Sequence, residues 1–202
     1  MRPDGRHALV LAAGAASRFG GGKLVVDWRG APLVTWAVRA ALAAQVDQAT
    51  VVLGAEADQV QRALTQVVVD DRLRLVEALD WDQGQSASLR AGVRALPADA
   101  RAVAVFLGDM PSVDPAMADR LLDAVLAGAP AARLRSPRGP AHPAAFSAEV
   151  FPDLLALTGD QGARSLFDRL GAAVAVFETD HPGATLDIDT PGDLVLAGPL
   201  SS

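Results

Sequence analysis

The segment Leu11-Ala12-Ala13-Gly14-Ala15-Ala16-Ser17-Arg18-Phe19-Gly20-Gly21-Gly22-Lys23 constrains this chain more than any other. The apolar run Ala8–Ala13 leading into it reads as a short buried strand that ends in glycine. Small residues in the loop let backbone N–H groups approach a ligand closely. Arg18 and Lys23 add two cations, and no acid stands between them. A strand that opens into such a loop suits a triphosphate. The spacing excludes two common alternatives. Lys23 is followed by Leu24 rather than Ser or Thr, so this is no P-loop, and three consecutive glycines lack the dinucleotide spacing. Alone, the same residues would also make a flexible connector with two solvated cations.

The remaining chain supplies the scaffold. Apolar strands are expected at Ala49–Leu53, Leu73–Glu77 and Ala102–Phe106. Helical spacing covers Leu33–Ala44, Glu56–Gln66 and Ser86–Leu96, and Asp114 with Pro115 opens another helix. Strand–helix alternation in the first half implies βαβ units and a parallel sheet, in one domain spanning 1–202. Later, Ala131–Arg135 and Ala144–Ser147 read as strands around a turn, Ser136–Pro143. Ala148–Leu157 and Gly162–Leu170 read as helices, Ala173–Phe177 and Thr185–Ile188 as strands. In such sheets ligands bind beyond the carboxyl ends of the strands.

Two acidic motifs fall there. Val103–Leu107 delivers Asp109 through Gly108, and a carboxylate facing a phosphate loop is a natural Mg2+ ligand; a turn residue before Pro111 is the plainer alternative. In Asp187-Ile188-Asp189-Thr190-Pro191, alternation puts Asp187 and Asp189 on one side of an extended chain. Two carboxylates on one face repel unless a cation joins them, although Asp189 could also only support the cap at Thr190. Asp193 belongs to that cap, three residues after Thr190.

Composition bounds the rest. A net charge of -6 gives no global attraction to nucleic acid or to an anionic membrane. The absence of cysteine excludes thiolate nucleophiles and thiolate metal sites. Arg2, Arg6 and the apolar run from Ala8 superficially resemble a signal peptide. The run flows straight into Arg18 and Lys23, however, and a cytoplasmic chain is expected.

These motifs together resemble the MocA-type nucleotidyltransferases. Besides the opening loop, the resemblance rests on Gly108-Asp109-Met110-Pro111, on Trp81-Asp82-Gln83-Gly84-Gln85-Ser86-Ala87-Ser88-Leu89-Arg90-Ala91-Gly92, on His142-Pro143 with Phe146, on Leu157-Thr158-Gly159-Asp160-Gln161-Gly162-Ala163-Arg164, and on Asp187–Pro191. It covers Ala8 to about Leu196. Phe19 and Ala141 depart from it, where methionine and glycine are usual. The resemblance implies a Rossmann-like three-layer α/β/α domain of the nucleotide-diphospho-sugar transferase type, with a mostly parallel mixed sheet. It also implies transfer of CMP from CTP to molybdopterin, giving molybdopterin cytosine dinucleotide. Arg18, Lys23 and Asp109 would be catalytic, Leu11, Ala12, Ala13, Gly14 and Ser17 would belong to the nucleotide site, and Gly14, Gly84, Ser86 and Ser88 would lie near base and ribose. His142, Asp160 and Arg164 would face the acceptor in the region 130–185, and Asp109, Asp187 and Asp189 would face the metal. Implied partners are CTP, the molybdenum cofactor and an apo-molybdenum hydroxylase of the xanthine oxidase family. Ala12-Ala13-Gly14 favours CTP over GTP, since a methyl at Ala13 would crowd a larger base. GTP-dependent guanylyl transfer, another small phosphate acceptor, or a non-catalytic cofactor chaperone are the competing expectations.

Overall fold

The computed structural model describes residues 5–160 and 162–196. Its centre is a seven-stranded sheet. β1 (Arg6–Ala12) is flanked by β4 (Gln48–Leu53) and β6 (Ala102–Leu107), and β5 (Leu73–Glu77) lies outside β4. Beyond β6 follow β8 (Gly139–Ser147), β7 (Ala131–Ser136) and β9 (Ala175–Glu178). All run parallel except β8, which is antiparallel to both neighbours. A two-residue ribbon, β2 (Asp27–Trp28) with β3 (Ala31–Pro32), stands apart.

The alternation in the strands builds two cores. Ala102, Ala104 and Phe106 face α1 (Leu33–Ala43), α2 (Ala57–Val67) and α4 (Pro115–Leu126). Val103 and Val105 face α3 (Gln85–Arg94), α5 (Phe151–Leu155) and α6 (Arg164–Leu170). This is the expected three-layer mixed sheet. α3 approaches the sheet closely because Gly92 carries no side chain. A Cβ there would lie 2.8 Å from a Leu9 methyl and 3.0 Å from a Val52 methyl. The strand order turns back at β1, with β4 on one side and β6 on the other. Leu11 and Leu107 pair across that switch point at the carboxyl ends of both strands, where the ligand crevice of such sheets lies.

The second half departs from expectation in four places. Thr185–Ile188 is no strand; a 3-10 turn, Pro182–Ala184, precedes it and the chain then runs as coil. The Ile188 N–H is spent on the Asp109 carbonyl at 3.1 Å instead of a ladder. The turn Ser136–Pro143 shrinks to Pro137-Arg138, because Gly139 already pairs with Ser136. Two prolines hide that strand from a propensity reading. Ala148–Leu157 begins as a 3-10 turn and holds an α-helix only over Phe151–Leu155. Gly162 adopts φ 52° and stays outside α6. The terminal helix α7 (Pro191–Leu196) is capped as expected. The Asp193 carboxylate accepts from the N–H groups of Asp189 and Thr190 and from the Thr190 hydroxyl. The Thr190 backbone N–H, then its hydroxyl, hold that carboxyl below its ordinary pKa. Among the described residues no helix is long and apolar enough to cross a membrane.

Candidate functional site

The loop after β1 takes a shape that only its composition permits. Gly20, Gly21 and Gly22 adopt φ of 89°, 92° and 68°, a run of left-handed backbone that residues with a side chain rarely sustain. Nothing crowds Gly20 or Gly22, so the requirement there is conformational. Glu56, just ahead of α2, pins the loop by accepting from the Gly22 N–H at 2.6 Å. The chain then enters a 3-10 turn that begins at Lys23.

Lys23 joins the two acidic motifs. Its Nζ lies 2.7 Å from Asp109 Oδ2 and 3.3 Å from Asp189 Oδ1. Arg18 Nη1 lies 3.0 Å from Asp189 Oδ2. Ile188 is fully buried with Trp28 and Leu33. That anchor, and its bond to the Asp109 carbonyl, brings the terminal segment to the end of β6. Burial raises the pKa of the Asp187 carboxyl from its ordinary value, and the charges of Asp189 and Asp109 act in the same direction. Among the described residues no three His, Asp or Glu groups form a metal cage. A Mg2+-type ion needs only one or two carboxylates when phosphates complete its shell, and Asp109 with Asp189 meet that need.

Next to this cluster opens a cavity of about 340 Å³. Leu11, Ala13, Gly14, Gly84, Ser88 and Asp109 all line it, together with Trp81 and Asp160. Ser86 does not line it: it is fully buried at the start of α3 and its N–H donates to the Gly159 carbonyl. Ala12 is buried beneath Gly108, while Ser17 is exposed on the loop. Ala13 lines the cavity with its methyl turned toward Gly54, where a Cβ would lie 2.6 Å from it. The crowding expected of that methyl against a base is therefore directed at the backbone after β4.

A second cavity, of about 270 Å³, shares the wall Leu11, Gln85 and Leu107. Leu89, Val105, Phe146 and Phe167 make it apolar, and His142, Arg164 and Arg133 make its polar side. Asp160, expected with that group, stands in the first cavity instead, against Gly84, where no Cβ would fit. Two polar atoms of the second cavity, Arg133 Nε and His142 Nδ1, are buried with no hydrogen-bond partner among the described residues. The Arg133 guanidinium lies over the Phe167 ring, 5.3 Å from its centroid. Burial lowers the His142 pKa, against the opposing charge of Asp109. The β7–β8 register explains the geometry: Arg133 pairs with Ala144 and Leu134 with Ala141, so His142 and Pro143 bulge out of the ladder.

Arg90 braces the shared wall. It donates to the Leu157 carbonyl at 2.6 Å and to Asp80 at 2.9 Å, tying α3 to the loop that carries Asp160. Gln161 of that loop lies outside the described residues. Sequence reasoning missed Arg133 and Glu56. Arg133 did leave a signal, as a charge between buried Ala132 and Leu134 in an otherwise apolar strand; Glu56 left none.

The geometry is a glycine-rich loop, an acid cluster joined by Lys23 and two adjoining cavities at a topological switch point. The MobA-like NTP transferase domain matches residues 8–174. The chain belongs to this family. Among curated relatives of this MobA-like chain, purine catabolism protein PucB of Bacillus subtilis is 33% identical over 201 residues, covering 95% of each. Nicotine blue oxidoreductase of Paenarthrobacter nicotinovorans is 29% identical, covering 90% of the chain and 91% of that protein. Among solved structures, Rv0371c of Mycobacterium tuberculosis superposes with a TM-score of 0.82 at 29% identity, covering 95% of the chain and 96% of its own. Its manganese complex gives a TM-score of 0.79 at 28% identity, covering 95% and 96%.

Proposed function

We propose that this MobA-like protein transfers CMP from CTP to the terminal phosphate of molybdopterin, or of the molybdenum cofactor, giving molybdopterin cytosine dinucleotide. We take residues 1–202 as one cytoplasmic nucleotidyltransferase domain. The observation that carries the reading is the pair of adjoining cavities. One is ringed by glycines, Ser88 and Asp109; the other is apolar with Arg133, His142 and Arg164 on its polar side. A nucleotide in the first and a ring-bearing phosphate acceptor in the second would meet at Leu11 and Leu107.

The chemistry asks little of the protein beyond placement and charge. A phosphate monoester is already largely ionised near neutral pH, so no general base is required. Its oxygen attacks the α-phosphorus of CTP, the α–β bridging P–O bond breaks, and pyrophosphate leaves. Arg18 and Lys23 hold the triphosphate and stabilise the departing charge. Asp109 and Asp189 would hold a divalent cation, Mg2+ in our reading, with Asp187 behind them; when bound, it neutralises phosphate charge. Manganese in the related Rv0371c complex supports a divalent ion. Gly14, Gly84 and Ser88 approach base and ribose, with Ala12, Ser86 and Ser17 supporting that wall and loop. Asp160 joins them, and Arg164 and His142 meet the acceptor. The product would pass to an apo-molybdenum hydroxylase of the xanthine oxidase family.

The preference for CTP rests on the resemblance of Ala12-Ala13-Gly14 alone. The test is kcat/KM for CTP and GTP with molybdenum cofactor as acceptor. Preference for CTP is expected; preference for GTP would move the protein to guanylyl transfer. Consumption of a reduced cofactor without pyrophosphate release would move it toward its relative named an oxidoreductase.

A further inference from the structure

Lys23 is the single lysine of the chain, against seventeen arginines. It is only 8% exposed, and its ammonium stands between oxygens of Asp109 and Asp189, at 2.7 and 3.3 Å. An ammonium is a compact point charge, whereas a guanidinium is a planar fork that pairs side-on with carboxylates. Of the two, the ammonium stands between a pair of carboxylates as a small metal ion does. Arg18, far more exposed, takes the other oxygen of Asp189 at 3.0 Å. Asp109 and Asp189 are thus each already paired with a resident cation.

We propose that Lys23 is a built-in counter-ion that closes the divalent-cation position until a polyphosphate draws its ammonium away, so that metal and nucleotide bind as a coupled pair. The proposal rests on the reading of Asp109 and Asp189 as cation ligands. A divalent ion arriving alone must push the ammonium off both carboxylates and leave a buried charge unpaired, which is costly. A polyphosphate supplies the replacement partner and removes that cost. Each ligand then strengthens the other by the same factor.

Two measurements test this, neither of them activity. Mn2+ binding, read by electron paramagnetic resonance without nucleotide, should be tighter for Lys23→Met than for wild type. The expected gain is about 5–150-fold, the usual range of coupling between two ligands; equal or weaker binding overturns the proposal. The second uses wild type, so it stands even if the variant fails to fold. Lysine labelled with 13C at Cε gives one side-chain resonance in this chain. Mg2+ alone should leave it in place, and Mg2+ with inorganic tripolyphosphate should move it. Movement by Mg2+ alone to the same degree, or no movement with both, overturns the proposal. Tripolyphosphate has no base, so an error in the nucleotide or acceptor assignment would not alter either outcome.

Discussion

The two cavities that meet at Leu11 and Leu107 are made of unlike materials. The first is built at the ends of parallel strands from the start of a glycine-rich loop, a helix start and the carboxylate that follows β6, so most of its parts are local in the chain. The second depends on how an antiparallel strand slips against its neighbour, which brings Arg133 and His142 into one apolar space. A loop's chemistry can be written in consecutive residues; a register shift cannot. The first cavity should therefore fail sharply when a single motif residue is lost, and the second should lose acceptor affinity in steps.

The largest effect is expected at Asp109. Asp109→Ala should cost on the order of 10²–10³ in kcat or more, by analogy with the loss of other preorganised charge-stabilising groups, while the melting curve stays cooperative. Retention of most turnover would take Asp109 out of the chemistry. Next come the two cations of the loop. Removing either should cost about 2–4 kcal/mol of transition-state stabilisation. Lys23→Ala should fall at the upper end and Arg18→Ala at the lower, because Lys23 is buried on both acids and the Arg18 side chain is 79% exposed. The reverse order would mean that the ligand-free pairing does not forecast the bound one.

Arg133→Ala addresses the other cavity. It should raise the acceptor KM by roughly 1–3 kcal/mol, the worth of a hydrogen bond to a buried group, and leave the CTP KM alone. Equal changes in both constants would break the division of labour between the cavities.

The smallest effect lies at the far end of β1. His7 is buried, its pKa is lowered by that burial, and neither ring nitrogen has a partner among the described residues. The unfolded chain takes up this proton first as pH falls below about 6.5. The contribution of neutral His7 is therefore complete above that pH and lost on acidification. His7→Gln should flatten the fall in melting temperature below about pH 6.5 without changing the ratio of the two KM values. An unchanged pH dependence would remove His7 as its source.

Legibility in the sequence follows the same divide. Asp109, Lys23, Gly14, Gly84 and Ser88 stand out because strand ends, glycines and charges come in a fixed order along the chain. The expectation that Asp187 and Asp189 share a side assumes the alternation of a strand, and the segment is coil; it is Asp189 that pairs with Lys23 and Arg18. Sequence order groups Asp160 with Arg164, but packing against Gly84, steadied by the Arg90 brace, puts it on the wall of the first cavity. Arg133 escapes a sequence reading because its place depends on a strand pairing obscured by Pro140 and Pro143. The Ala13 methyl, expected to face a ligand, faces Gly54; the direction of a Cβ at a strand end depends on the neighbouring strand.

On this account a nucleotide in one cavity is joined to a phosphate acceptor in the other. Incubation with molybdenum cofactor, Mg2+ and CTP labelled at the α-phosphorus tests it most directly. The account predicts that the label appears in a pterin dinucleotide, with one pyrophosphate released per product and a far lower rate for Asp109→Ala. Label remaining in CTP, with authentic cofactor bound, would contradict it.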